Sequence, residues 1–503
     1  MSFAAALAAI GARRNDPALL ADLAELALAD GEETAALAVI LPAARQLGDA
    51  RLWQWTGLLQ RALDLHEAAL EAFAQAAKLA PADASIAHGR ARVALEAGVD
   101  AVALYESALR LAPSSSDVLI GLAAARNAAG AGEQAAAEFE LALARSPLWL
   151  EGHAQLAQLL STLGFADKAT ASIERAIAAH PLEVGLWHSL FGIQLRRGNF
   201  VALGEALDRA LAAGLGADSC SAYAAIAAAE SGDAERADSL FRKAPENVAQ
   251  TLGIWRIRHF LRIGNLREAL GLIDRELKSP RAAAAWPYAA AAWRLAGDPR
   301  WQWLEGDSRL VTITDLTASL PPLDLLAARL RSLHVARGAF LDQSVRGGTQ
   351  TDGPLFSRIE PEIRALRATV VQAVEDHVRQ LPPPDLPHPL LGKRRDRPIR
   401  FSGSWSVRLR DLGYHSNHVH PQGWISSALY IALPERQPNE PSRAGWLSLG
   451  QPQAELGADL DPLRVLEPQL GRLVLFPSWM WHGTLPFAEG ERLTVAFDVA
   501  TPR

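Results

Sequence analysis

The chain has 503 residues, 49% of them apolar and 21% charged, with a formal net charge of −6. That length exceeds one typical domain and is enough for more than one core. The acidic balance argues against bulk binding to nucleic acid or to an anionic membrane surface. A single cysteine, Cys220, excludes an intramolecular disulfide and fits a reducing, cytoplasmic setting. The apolar start over residues 1–10 precedes Arg13 and Arg14, the reverse of a secretory leader. No run of about twenty apolar residues is present, so no membrane span is expected.

Residues 1–305 read as a helical repeat array. Prolines 81, 113, 147 and 181 recur at intervals of 32, 34 and 34 residues. Eight positions before them stand Phe73, Tyr105, Phe139 and Ile173. Twelve before stand Ala69, Ala101, Ala135 and Ala169, and five before stand Ala76, Ala108, Ala142 and Ala176. Gly57 and Gly89 lie twenty-four before the first two prolines, with Trp53 four residues earlier again. Small residues let two antiparallel helices approach, a large residue fills the gap, and proline ends the second helix. The pattern resembles the tetratricopeptide repeat, with weaker units before and after it and breaks near Gly198, Gly214, Gly232 and Gly264. The resemblance implies an all-α superhelix whose concave face takes a peptide or protein partner. Trp53, Trp149 and Trp187 either line that face or pack between helices, and packing is the commoner role. Histidines 66, 88, 153, 180, 188 and 259 have no ligand-like spacing and read as surface or helix-end residues.

From about residue 308 the pattern changes. Leu310-Val311-Thr312-Ile313 reads as a short strand, and 323–334 reads as a helix after Pro321-Pro322. Residues 341–351 contain Gly347-Gly348, where the chain can take positive torsions or approach a ligand closely. No Lys-Ser/Thr follows, so this is no phosphate loop; a cover over an active site and a structural turn are equal alternatives. An amphipathic helix is expected over 360–380, and Lys393-Arg394-Arg395-Asp396-Arg397 reads as a solvated loop.

Alternating runs at 399–408, 424–433, 444–449, 472–476 and 492–499, separated by turn residues, predict an antiparallel barrel or jelly roll. The chemistry is concentrated there. His418 and His420 would face one side of a strand, because strand side chains alternate. His482 follows the apolar run 473–476, and three converging imidazoles suit a transition metal such as Fe(II) with open positions left over. Arg492, ten residues on, could grip the carboxylate of a metal-chelating cosubstrate.

At these residues the chain resembles the 2-oxoglutarate–Fe(II) oxygenases found behind tetratricopeptide repeats. The matching elements are Tyr414, His418-Val419-His420-Pro421, the segment 426–430, the segment 471–479, His482-Gly483 and Glu491-Arg492, together with the block 342–351. The resemblance covers roughly 308–503. It implies a double-stranded β-helix (jelly-roll) oxygenase domain over 306–503, with its β core about 399–500. It further implies Fe(II) on His418, His420 and His482, and 2-oxoglutarate held at Arg492 with help from Thr494 and Tyr430. The reaction implied is decarboxylation of 2-oxoglutarate to succinate coupled to hydroxylation of a C–H bond.

One departure matters. The commonest set in the wider superfamily is two histidines and a carboxylate, whereas His420 stands here at the carboxylate's place. Three histidines, two histidines as in the aspartyl/asparaginyl hydroxylases, a carboxylate from Asp411 or Asp498, and an inactive relic all remain open. His415 is a further candidate near the substrate or behind the ligands. Trp405, Tyr430 and Trp481 would shape the pocket or pack, and Gln343 and Arg346 could touch substrate. The leading function is a hydroxylase acting on a peptide or protein side chain recruited by the repeats. The rival is a non-catalytic scaffold whose degenerate barrel binds a ligand.

Overall fold

A computed structural model describes residues 2–10 and 15–502; Arg13 and Arg14 lie outside them. The expected repeat units form helix pairs. These are Ala50–Ala62 with His66–Leu79, Ala84–Glu96 with Val102–Leu111, and Ser116–Ala128 with Gly132–Arg145. Leu150–Thr162 with Ala171–Ala179 and Val184–Arg196 with Phe200–Ala212 continue the series. Each of the four prolines stands two residues beyond the end of a second helix, as its missing N–H and ring sterics require. Asp49, Asp83 and Ser115 cap the next first helices by accepting from backbone N–H groups. Phe73 is fully buried, and a Cβ at Gly57 or at Gly89 would overlap its ring. The two glycines therefore clamp one phenyl ring between successive first helices. The breaks at Gly198, Gly214, Gly232 and Gly264 are turns with positive φ.

Aromatic residues of the array pack rather than line a face. Trp149 stacks on Phe139 at 5.2 Å, and Trp187 is buried with its Nε1 donating to Pro181 O at 2.9 Å. Three of the histidines read as surface or helix-end residues are not at the surface, although His66 does open its helix. His66, His153 and His259 are buried, the second held between Ser172 Oγ and Pro147 O and the third against Asp238. Buried imidazoles need such partners, and helix junctions supply them.

The C-terminal part is a curled antiparallel sheet of nine strands: β1 (Thr312–Asp315), β2 (Val345–Gln350), β3 (Phe401–His418), β4 (Gly423–Ala432), β5 (Leu447–Leu449), β6 (Arg464–Leu466), β7 (Arg472–Pro477), β8 (His482–Thr484) and β9 (Arg492–Ala500). Their order is β1-β7-β4-β9-β3-β8-β5-β6, with β2 laid on β3. The glycine-rich block is thus a strand: Gly348 pairs with Leu409, and a Cβ there would overlap Arg408 O. The helix Pro361–Gln380 appears as expected and packs on the sheet through Ile363, Leu366, Val370 and Val374. Among the described residues, no helix is long and apolar enough to cross a membrane.

The array is fastened to this sheet region. Helices Gly253–Arg262, Leu266–Glu276 and Ala282–Ala296 contribute Ile257, Ile273, Trp293 and others to a single core shared with Leu366, Leu475 and Phe497. Turns and helix N-termini of the array supply acids and the C-terminal part supplies arginines. The pairs are Glu32–Arg397 (2.6 Å), Glu33–Arg400 (3.1 Å), Asp64–Arg367 (3.1 Å), Glu67–Arg364 (2.6 Å) and Glu133–Arg337 (2.9 Å). The basic run 393–397 is therefore only partly solvated: Arg394 pairs with Asp396, but Arg397 docks on the array. Because Phe73 fills the space between three helices, Phe73→Ala is expected to destabilise the array by about 3–5 kcal/mol in urea unfolding followed by circular dichroism. An effect below about 1 kcal/mol would mean the site collapses without loss.

Candidate metal centre

β3 places the first histidine. Its early residues 401–409 pair with β9, and its end pairs with β8, so that His418 lies directly opposite His482. Leu412, with φ 60°, marks the bend between the two pairings. His420 is two residues past the strand end, in the turn to β4, where its N–H donates to Ser478 O at 2.9 Å. The expected side-sharing of His418 and His420 is therefore achieved by a strand end and a turn, not by strand alternation. The outcome is a tight cluster. Ring centroids lie 4.2 Å apart for His418–His482, 5.0 Å for His418–His420 and 5.1 Å for His420–His482. One ring nitrogen from each residue falls within 4.8 Å of the other two.

Hydrogen bonds orient all three rings. His418 Nδ1 lies 2.9 Å from Ser416 O, and His482 Nδ1 lies 3.0 Å from Met480 O. A carbonyl only accepts, so both Nδ1 atoms carry the proton and both Nε2 atoms keep a lone pair. His420 Nδ1 faces Asp498 Oδ1 at 2.8 Å, and Ser426 Oγ donates to the same carboxylate at 2.5 Å. Asp498 thus stands behind His420 rather than beside it. Asp411 is elsewhere, accepting from Gly490 N. Burial, with the neighbouring rings, holds His418 and His482 well below the ordinary histidine value, which keeps them neutral.

Arg492 and the three histidines line one cavity, together with Trp405, Val407, Thr494 and Phe476. Arg492 is only 3% exposed. Its Nη1 donates to Gly445 O at 2.6 Å and it lies 4.9 Å over the Tyr430 ring, but its Nε has no acceptor among the described residues. Among the described residues no carboxylate pairs with it, and burial lowers its pKa. Tyr430 is fully buried, its hydroxyl without a partner among the described residues, opposite Thr494 in the β4–β9 register.

The remaining candidates divide. Trp405 sits edge-on to His420 at 5.5 Å and lines the cavity, whereas Trp481 packs on Tyr288 and donates to Pro287 O. His415 stacks beside His418 at 5.8 Å. Arg346 donates to the carbonyls of Gln343 and Val345, so it braces its own turn. Sequence reasoning missed Ser344 as a site residue: its Oγ is 3.2 Å from both His418 Nε2 and His415 Nδ1. Only the pairing of β2 with β3 brings that serine in, and no spacing rule encodes it.

Three converging imidazoles, one buried and two partly buried, share a cavity on a curled antiparallel sheet with an arginine that no carboxylate pairs among the described residues, and such a donor set could hold a metal ion. Residues 403–498 match the family described as "Putative 2OG-Fe(II) oxygenase". The helical region is similar to solved tetratricopeptide repeat proteins. One, from Parabacteroides merdae, is 17% identical with a TM-score of 0.30, over 40% of this chain and 79% of that one. MamA from Desulfovibrio magneticus RS-1 is 17% identical with a TM-score of 0.29, over 33% and 95%. YrrB, titled a TPR protein with an unusual peptide-binding site, is 19% identical with a TM-score of 0.24, over 35% and 92%. No curated protein matches the chain.

The histidine shifts set a pH dependence. His377 is buried against Thr312, and burial lowers it to about 4; burial lowers His415 to about 3. Unfolded, each returns to about 6.5. The unfolded chain then binds more protons below that pH, so stability is present above it and lost as pH falls toward the folded values. Each ring contributes up to about 1.4 kcal/mol per pH unit in that window, His415 less because it stays partly accessible. Thermal unfolding of metal-free protein is expected to move to lower temperature steadily from about pH 7 to pH 5. A midpoint that stays flat over that range would contradict the neutral, buried histidines.

Proposed function

We propose that the protein is an Fe(II)- and 2-oxoglutarate-dependent dioxygenase that hydroxylates a peptide or protein side chain. In this reading 1–305 is a tetratricopeptide-like array and 306–503 an oxygenase domain of the jelly-roll type, acting in the cytoplasm. The observation that carries it is the shared cavity: three imidazoles turned inward and one buried guanidinium without an anionic partner among the described residues. His418, His420 and His482 would hold the metal through their Nε2 atoms, because Nδ1 is engaged in each and the rings are fixed in place. Open positions would then remain for a chelating 2-oxo acid. Arg492 suits the far carboxylate of that acid, since a desolvated guanidinium with a spare Nε–H makes strong charge-assisted bonds. Thr494 and Tyr430 stand beside it as further donors.

Bound together, Fe(II) and 2-oxoglutarate couple oxidative decarboxylation by dioxygen to hydroxylation of a C–H bond. The chain's own work is to bind, orient and exclude water. Asp498 accepts from His420 Nδ1 and orients that ring; Val407, Leu447 and Phe476 keep the cavity wall apolar. Helical arrays present long surfaces to peptides, which supports a peptide substrate. The lack of an anionic ligand in the histidine set favours a second reading, a scaffold whose C-terminal region binds a ligand without turnover.

Anaerobic titration with Fe(II) and then 2-oxoglutarate, read by the visible charge-transfer band, separates the two. The band is expected to vanish in His482→Ala. In Arg492→Ala the apparent affinity for 2-oxoglutarate is expected to fall about thirtyfold or more, the loss of ~2 kcal/mol for a buried charge pair. Asp498→Asn is expected to weaken metal binding about 10–100-fold without unfolding the protein. A folded protein that retains no iron and develops no band would move the conclusion to the scaffold.

A further inference from the structure

A strap from the C-terminal part runs along the array and ends at the histidine cluster. The backbone N–H groups of Arg337 and Gly338 both donate to Thr162 O, at 2.8 and 3.0 Å, and Ser161 Oγ donates to Ala339 O at 2.6 Å. A Cβ at Gly338 would overlap Ser161 O, so a side chain is excluded at this crossing. Leu341 then enters the array core beside Ala157, Ile173 and Trp187 and is 5% exposed. Its N–H donates to Gln158 Oε1 at 3.2 Å. Three residues later Ser344 reaches His418 and His415, and its carbonyl accepts from Ser416 N at 3.0 Å.

Proton accounting gives these bonds a direction. His418 Nδ1 donates to Ser416 O, so its Nε2 can only accept. The Ser344 hydroxyl must therefore donate to His418 Nε2, and His415 Nδ1 then donates to Ser344 Oγ. The serine occupies the same lone pair that a metal would take.

We propose that Ser344 is a positioning residue that competes with the metal for His418, and that its hold is set by the seating of Leu341 in the helical array. The proposal rests on the reading of His418, His420 and His482 as metal ligands. Metal binding breaks the Ser344–His418 bond. Whatever loosens the strap on the array favours the metal, and by reciprocity metal loading loosens the strap by the same factor.

The test is titration of the metal-free full-length chain with Co(II), whose visible absorption reports its ligands, beside thermal melts of each variant. Ser344→Ala is expected to bind Co(II) about three- to tenfold more tightly, the effect of removing one neutral competing hydrogen bond. Ser344→Thr, which restores the hydroxyl, is expected to return to the unaltered affinity. Leu341→Ala should tighten binding in the same direction, and the double variant should bind no more tightly than Ser344→Ala alone. Gly338→Ala lifts the strap without truncating Leu341, and carries the same expectation should Leu341→Ala fail to fold. Unchanged or weaker binding in Ser344→Ala, or full additivity in the double variant, would overturn the proposal while leaving the metal site standing. Absence of Co(II) absorption in the unaltered chain would instead remove the metal site, and the proposal with it.

Discussion

One strand of eighteen residues, β3, serves two sets of partners, and the site depends on that division. Its first half is zipped to β9, which places Arg492 opposite Leu409. Its second half leaves that partner, bends at Leu412 and pairs with β8, which places His418 opposite His482. A straight strand would keep one pairing and lose the other. β2 lies along the same strand and delivers Ser344 to its end. A positive φ at a leucine is uncommon and costs energy, so the surrounding pairings must hold it.

The charges of the site are treated unequally. The Asp498 carboxylate is satisfied by His420 and Ser426. Arg492, also buried, receives among the described residues only a carbonyl oxygen and the face of a tyrosine ring. Burying a cation with so little compensation is unfavourable unless something else repays it. An anionic ligand at Arg492 would do so. The same cavity keeps His418 and His482 neutral, and neutral imidazole is the form that donates a lone pair.

The helical array is part of one body with the sheet. Individual ion pairs between Glu32, Glu33, Asp64, Glu67 or Glu133 and the facing arginines are partly exposed and worth little singly. Their uniform sense, acids on the array and arginines opposite, nevertheless selects one docking arrangement. The shared core of the last helices supplies the larger stabilisation. An array joined in this way can recruit a partner and also influence the site through the strap that ends at Ser344.

The local elements were legible because each rests on chain-local physics. Proline spacing and paired small residues marked the helix pairs, and alternation with turn residues marked β4, β7 and β9 almost to their ends. His418, His420, His482 and Arg492 stood out because their types and order matched a known pattern, and the fold brings them to one cavity. Tertiary structure decided what spacing cannot encode. It turned the glycine-rich block into a strand, buried His153 and His259, and sent Arg397 to the array. It also put Asp498 behind His420 instead of in the ligand set, and set Ser344 against His418 across seventy-four residues. Helices and strands follow from neighbours in sequence, whereas these contacts depend on which distant surfaces meet when the sheet curls and the array closes on it.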